Sequence, residues 1–118
     1  MAKLKTYLIV YHMSPAAARR SEKLRAKNPN AAAEGMQGWM VWAKNCGDSL
    51  VDLGQPLAKG VRLNRDGSTP SKRNVAGYSI LQAPSLAAAK KLMKNHPHIV
   101  WDGGCDIEIH ESQPLPGS

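Results

Sequence analysis

The sequence predicts an α+β fold of the ferredoxin-like kind, an antiparallel sheet with helices on one face. Three observations carry this. The chain opens on a strand-forming run, KLKTYLIVY. A helical stripe of large apolar residues follows between Met36 and Cys46. A second strand–helix–strand unit then closes the chain as GYSILQA, SLAAAKKLMKN and CDIEIHE. With 118 residues and no composition break, residues 1–118 form one domain, with a core over 3–111 and an extended tail over 112–118.

Lys3–Tyr11 is rich in β-branched and aromatic residues and lacks Gly and Pro, which predicts the first strand. Its centre, TYLIVY, is apolar on both faces, so both sides of the sheet should be covered, one of them by a partner chain. Ser14 before Pro15 is an N-cap followed by Pro at the first helical position, opening a helix to Lys27. That helix has no broad apolar stripe and should be peripheral; Asn28-Pro29-Asn30 ends it. Met36, Trp39, Met40, Ala43 and Cys46 recur at helical spacing and predict the main core helix, stopped by Gly47.

SLVDLG and Lys59–Asn64 are short strands, and 65–77 is polar and turn-forming, hence a surface loop or hairpin tip. Gly77–Ala83 is a strand. Ser85 caps the next helix, whose Leu86, Ala89, Leu92 and Met93 point inward. In Cys105–Glu111, Ile107 and Ile109 take one face and Asp106, Glu108 and His110 the other, a polar row that is either a solvated or interface-facing strand edge or a wall of the cleft.

Composition narrows the function classes. No apolar run approaches the ~20 residues of a membrane span, and MAKLKTYLIVYHM lacks a small-residue cleavage site. Cys46 and Cys105 stand outside any CxxC pattern and read as reduced core thiols, so the expected location is cytoplasmic. Net charge is +7, which permits a nucleic-acid or acidic partner. The densest basic stretch is ARRSEKLRAK, with Arg19, Lys23 and Lys27 on one helix face. No Gly-rich phosphate loop, nucleophile elbow or HExxH helix is present, and no cofactor or metal is expected.

The run GYSILQAPSLAAAKKLMKNHPHIVWDGGCDIEIHE resembles the C-terminal half of the YCII-related family, which includes the DGPF-domain proteins. TYLIVYHM resembles the family's opening strand, and GDSLVDLGQPL its helix-to-strand passage. The likeness covers most of 3–111 and is weakest over the basic segment 14–33. It implies a dimeric α/β barrel, two ferredoxin-like sheets face to face, with clefts near the first long helix. Some members of the family pair a helix histidine with an aspartate, and others sit near sigma factors. Here the matching positions hold Gln37 and His96, which cannot reproduce a His–carboxylate couple.

His96-Pro97-His98 has two readings. Pro97 stops a helix, or one of the imidazoles serves a ligand, with His96 the candidate catalytic group and His98 a ligand contact. Metal binding by this pair alone is disfavoured, because Pro97 breaks the i, i+4 spacing that lets two imidazoles converge. Trp39 and Trp42 are core or interface residues, or line a pocket with Gln37. Asp48 is a turn residue or a ligand contact. Asp102 in the Asp-Gly-Gly turn reaches a histidine only if the chain folds back. The preferred function is therefore a homodimer binding a small molecule, or an acid–base enzyme, in a cleft between the long helix and the sheet. The alternative is a regulatory module that meets nucleic acid or an acidic protein through segment 19–27.

Overall fold

The computed structural model describes residues 3–117. Its elements are β1 (Lys5–Met13), α1 (Pro15–Lys27), α2 (Ala31–Cys46), a 3-10 turn (Gly47–Ser49), β2 (Leu50–Asp52), β3 (Val61–Asn64), β4 (Gly67–Pro70), β5 (Val75–Ala83), α3 (Leu86–Met93), α4 (Pro97–Val100) and β6 (Cys105–Glu111). The protein is α+β, with an antiparallel four-stranded sheet in the order β2-β5-β1-β6. That is the strand order of a split βαβ, ferredoxin-like arrangement. No helix among the described residues is long and apolar enough to cross a membrane.

Strand alternation divides the sheet into two unlike faces. Tyr7, Ile9 and Tyr11 of β1 and Ser79, Leu81 and Ala83 of β5 are buried on the helix side, against Trp42, Cys46, Ala89 and Met93. Each large apolar residue there contributes roughly 1.5–3 kcal/mol by leaving water. On the other side the alternate residues are uncovered: Leu8 is 41% exposed, and Val10, Tyr78 and Ile80 are only partly buried. The chain's own helices therefore cover one face only.

The helices agree with their sequence signals in part. Ser14 Oγ accepts from the amide of Ala17 at 3.1 Å, capping α1, of which only Ala17 is buried. Ser85 caps α3 through the amide of Ala88. Gly47 ends α2 at φ 55°. The core stripe of α2 is rotated from the expected one. Trp39, Trp42, Ala43 and Cys46 face the sheet, while Met36 and Met40 face outward, because the two indoles together claim the seam. Leu86 is likewise exposed rather than inward, since it lies in the first turn, before α3 meets the sheet.

His96-Pro97-His98 does not end a helix; it begins one. α3 has already stopped at Met93, and His96 is the N-cap of α4 with Pro97 in its first turn. The segment 65–77 resolves into β4 and the start of β5, so β3 and β4 form a two-stranded hairpin turning through Arg65-Asp66.

Gly54, at φ 82°, takes the chain from β2 past β5 so closely that a Cβ there would lie 1.7 Å from the Tyr78 carbonyl oxygen. Asp52 holds this turn by accepting from the Gly54 amide at 2.8 Å. We expect Gly54→Ala to destabilise the fold by about 3 kcal/mol. The urea midpoint should fall accordingly, and an unchanged midpoint would show that the close approach is not required.

Candidate functional site

The expected site residues assemble in part. His96 lies beneath Trp39 and Trp42, with ring centroids 4.3 and 4.4 Å away, and Tyr11 is 5.1 Å distant. His98 joins through Tyr11 at 5.2 Å. Gln37 and Asp48 do not join them. Gln37 is exposed on α2. Asp48 is exposed at the opposite end of β5 from His12, where its carbonyl accepts from Gln82 Nε2 at 2.7 Å.

Hydrogen-bond directions fix the state of this cluster. The Leu53 carbonyl can only accept, so Ser79 donates its hydroxyl proton there at 2.6 Å. Tyr11 then donates to Ser79 Oγ at 2.8 Å. His96 Nε2 is left to donate to the Tyr11 oxygen at 3.4 Å, and its Nδ1 accepts from the His98 amide at 2.9 Å. His96 is thus a neutral imidazole with both nitrogens occupied and 0% of its surface exposed. Burial, reinforced by the neighbouring His98, pushes it down to about 3. Burial also raises the Tyr11 phenol to about 12. The space expected to be a cleft between α2 and the sheet is filled by aromatic rings. Trp42 is anchored there by an Nε1 bond to the Leu92 carbonyl at 2.9 Å, and Trp39 is half-buried.

His98 donates Nε2–H to the His12 carbonyl at 2.7 Å. Burial lowers its pKa against the pull of the His12 and Asp106 backbone groups. Among the described residues no three His, Cys, Asp or Glu side chains converge as metal ligands.

An open cleft of 220 Å³ lies elsewhere, at the end of the uncovered sheet face. His12, Ser14, Arg73, Asn74, Gly104, Asp106 and Glu108 line it. Antiparallel register brings these together: His12 faces Asp106 across β1 and β6, and Glu108 is its diagonal neighbour. His12 Nδ1 lies 2.7 Å from the Arg73 carbonyl, which can only accept, so that nitrogen carries a proton. Its Nε2 lies 3.0 Å from Glu108 Oε1 and must also donate. This geometry selects the imidazolium. Partial burial works against the charge, but the Glu108 and Arg73 hydrogen bonds outweigh it and raise the pKa of His12. Glu108, bonded by His12 and more weakly by His110 at 3.4 Å, is held below its ordinary range.

The wall of the cleft is braced by Arg20, whose Nε and Nη2 donate to Asp102 at 2.6 and 2.7 Å, and Asp102 also accepts from the Gly104 amide at 2.7 Å. The Arg20 guanidinium, helped by the Gly104 amide, holds the Asp102 carboxyl down to about 2. Asp102 therefore takes an arginine, not a histidine, and removes one cation from the basic segment 19–27.

His12 is the residue that the sequence did not single out. Alternation put Glu108 in a polar row, but only the β1–β6 register shows that His12 meets it. The sequence matches no family model and no curated protein.

Two outcomes follow from the aromatic cluster. Unfolded, histidine titrates near 6.5, whereas folded His96 takes a proton only near pH 3. Between those values the unfolded chain binds more protons, so stability falls as pH drops through that window. His12 has the opposite sign: its contribution is complete below 6.5 and lost as pH rises through its raised value. Between pH 6 and 5 His12 is already protonated in both states, and the loss expected from His96 is about 1.4 kcal/mol. Urea titrations at the two pH values measure it, and equal midpoints would contradict a buried neutral His96. Tyr11→Phe leaves His96 Nε2–H without its acceptor and is expected to cost about 1–3 kcal/mol by the same measurement.

Proposed function

We propose that this chain is a YCII-like homodimer that binds a small polar molecule in the cleft bordered by His12 and Glu108, with this pair as its acid–base couple. The observation that carries the reading is the uncovered sheet face, whose apolar centre of Leu8, Val10, Tyr78 and Ile80 ends at that cleft. Surface bookkeeping supports it. A monomer of 12.8 kDa is expected to expose roughly 6,300 Å², and this chain exposes 8819 Å². The excess is about 2,500 Å² per chain, several times the roughly 800 Å² that each partner contributes to a standard interface, so there is ample surface for a dimer to cover. The resemblance read from the sequence points the same way, to two such sheets face to face.

The cleft sets the ligand class. At 220 Å³ it is smaller than the roughly 300–1,000 Å³ of sites for drug-sized ligands. Arg73 and the imidazolium of His12 suit an anionic group, and the Asp106 carboxylate suits a donor beside it. The Nε2 proton that His12 holds against Glu108 is the one given to such a ligand, which leaves a neutral imidazole with Nδ1–H still on the Arg73 carbonyl, and Glu108 stabilises the imidazolium before the transfer. The His–carboxylate couple that Gln37 and His96 cannot form is, in this reading, supplied by His12 and Glu108 on the other face of the sheet.

Native mass spectrometry tests both parts at once. The expected result is a dimer mass with a retained small anion, reduced to bare dimer in His12→Ala. Leu8→Glu should yield monomer without unfolding the chain. Occupancy should fall as pH rises through the raised value of His12. A monomeric wild type would remove the proposal.

A further inference from the structure

Among the described residues nothing covers the apolar side of the hairpin β3–β4. Val61 is 66% and Leu63 79% exposed. By strand alternation they share one face, with Val61 opposite Pro70 and Leu63 opposite Ser68, while Arg62 and Asn64 take the other. An isolated two-stranded ribbon is marginal in water, and one with a bare apolar face more so.

The ribbon is nonetheless built to leave the body in a fixed direction. Lys59 and Asn74, at φ 57° and 60°, bracket it in the left-handed region, where side chains are rarely found. Its root is tied by the Ser71 amide to the Gly60 carbonyl at 2.8 Å, and by the Leu57 amide to the Ala76 carbonyl at 2.9 Å. The result is a molecule 49 by 44 by 19 Å with a radius of gyration of 16.1 Å, against about 13.5 Å for a compact chain of this length.

Charge indicates the occupant. Lys59, Arg62, Arg65, Lys72 and Arg73 stand against the single acid Asp66 over residues 59–73. Among the described residues none of these five cationic side chains is in an ion pair. On the uncovered sheet face, Asp106 and Glu108 present carboxylates beside an apolar centre. The arm's apolar side and its cations match that face in kind, and a second copy of the chain offers both together.

We propose that the β3–β4 hairpin is a clasp. It lies across the margin of the uncovered sheet of a second copy, seating Val61 and Leu63 on its apolar residues and directing Arg65, at the tip of the hairpin, to its carboxylates. This rests on the homodimer reading and adds that the arm contributes to the partner's cleft. Leu63 is so exposed that Leu63→Asp leaves the isolated fold intact, which circular dichroism checks.

Sedimentation equilibrium of wild type and Leu63→Asp, each alone and with a short DNA duplex, decides the matter. The clasp predicts a dimeric wild type and a dimer dissociation constant raised at least tenfold in the variant. A dimer constant unchanged within twofold overturns the clasp and leaves the homodimer standing. A monomeric wild type overturns both. Salt-sensitive duplex binding that is lost in Arg62→Glu/Arg65→Glu, with the dimer constant of Leu63→Asp unchanged, reassigns the arm to nucleic acid.

Discussion

The hydrogen-bonded line from His96 through Tyr11 and Ser79 to the Leu53 carbonyl is the constraint on which the arrangement depends. It joins the cap of α4, strands β1 and β5, and the exit of β2. Because its last acceptor is a carbonyl, every donor along it has one direction. The imidazole of His96 is thereby fixed as neutral and its Nδ1 left free to start α4. Among the described residues no buried side-chain nitrogen or oxygen lacks a partner. Low dielectric strengthens a satisfied network of this kind and penalises any gap in it.

The four histidines divide into two populations by face. His96 and His98 lie under the helices, where burial favours the uncharged ring. His12 and His110 lie on the uncovered face with Glu108 between them, and there the bonds to Glu108 and the Arg73 carbonyl favour the charged ring of His12. His12 also links the two populations, since its carbonyl receives the proton of His98 while its own ring meets Glu108. A change in backbone position at the end of β1 is therefore felt on both sides of the sheet.

The fold was largely legible, for reasons that can be named. β1, β5 and β6 show strand chemistry, and the Ser14 and Ser85 caps mark helix starts. The rotation of the α2 stripe was not legible, because Met36, Met40 and the two indoles satisfy helical spacing equally well, and only packing chooses between them. His96 misled for a different reason. A histidine before proline signals a helix stop, but a neutral imidazole nitrogen also serves as a helix cap, as a short polar side chain does. The site was legible only in pieces. Trp39, Trp42, His96 and His98 were picked out and do meet, yet they fill space. The residues around the cleft come from the ends of β1 and β6 and the loop before β5, and their meeting depends on register that one-dimensional spacing does not contain.

The one-sided packing of β1 has a thermodynamic corollary. Tyr7, Ile9 and Tyr11 hold the isolated chain together, whereas Leu8 and Val10 contribute little to it. Their burial is a reserve that only association releases, so any species covering that face adds its binding free energy to the folding equilibrium. Where that species is a second copy of the chain, as proposed, melting temperature becomes a function of how much protein is in the tube. A dilute sample and a concentrated one, identical in every covalent bond, would have different resistance to heat and to proteases.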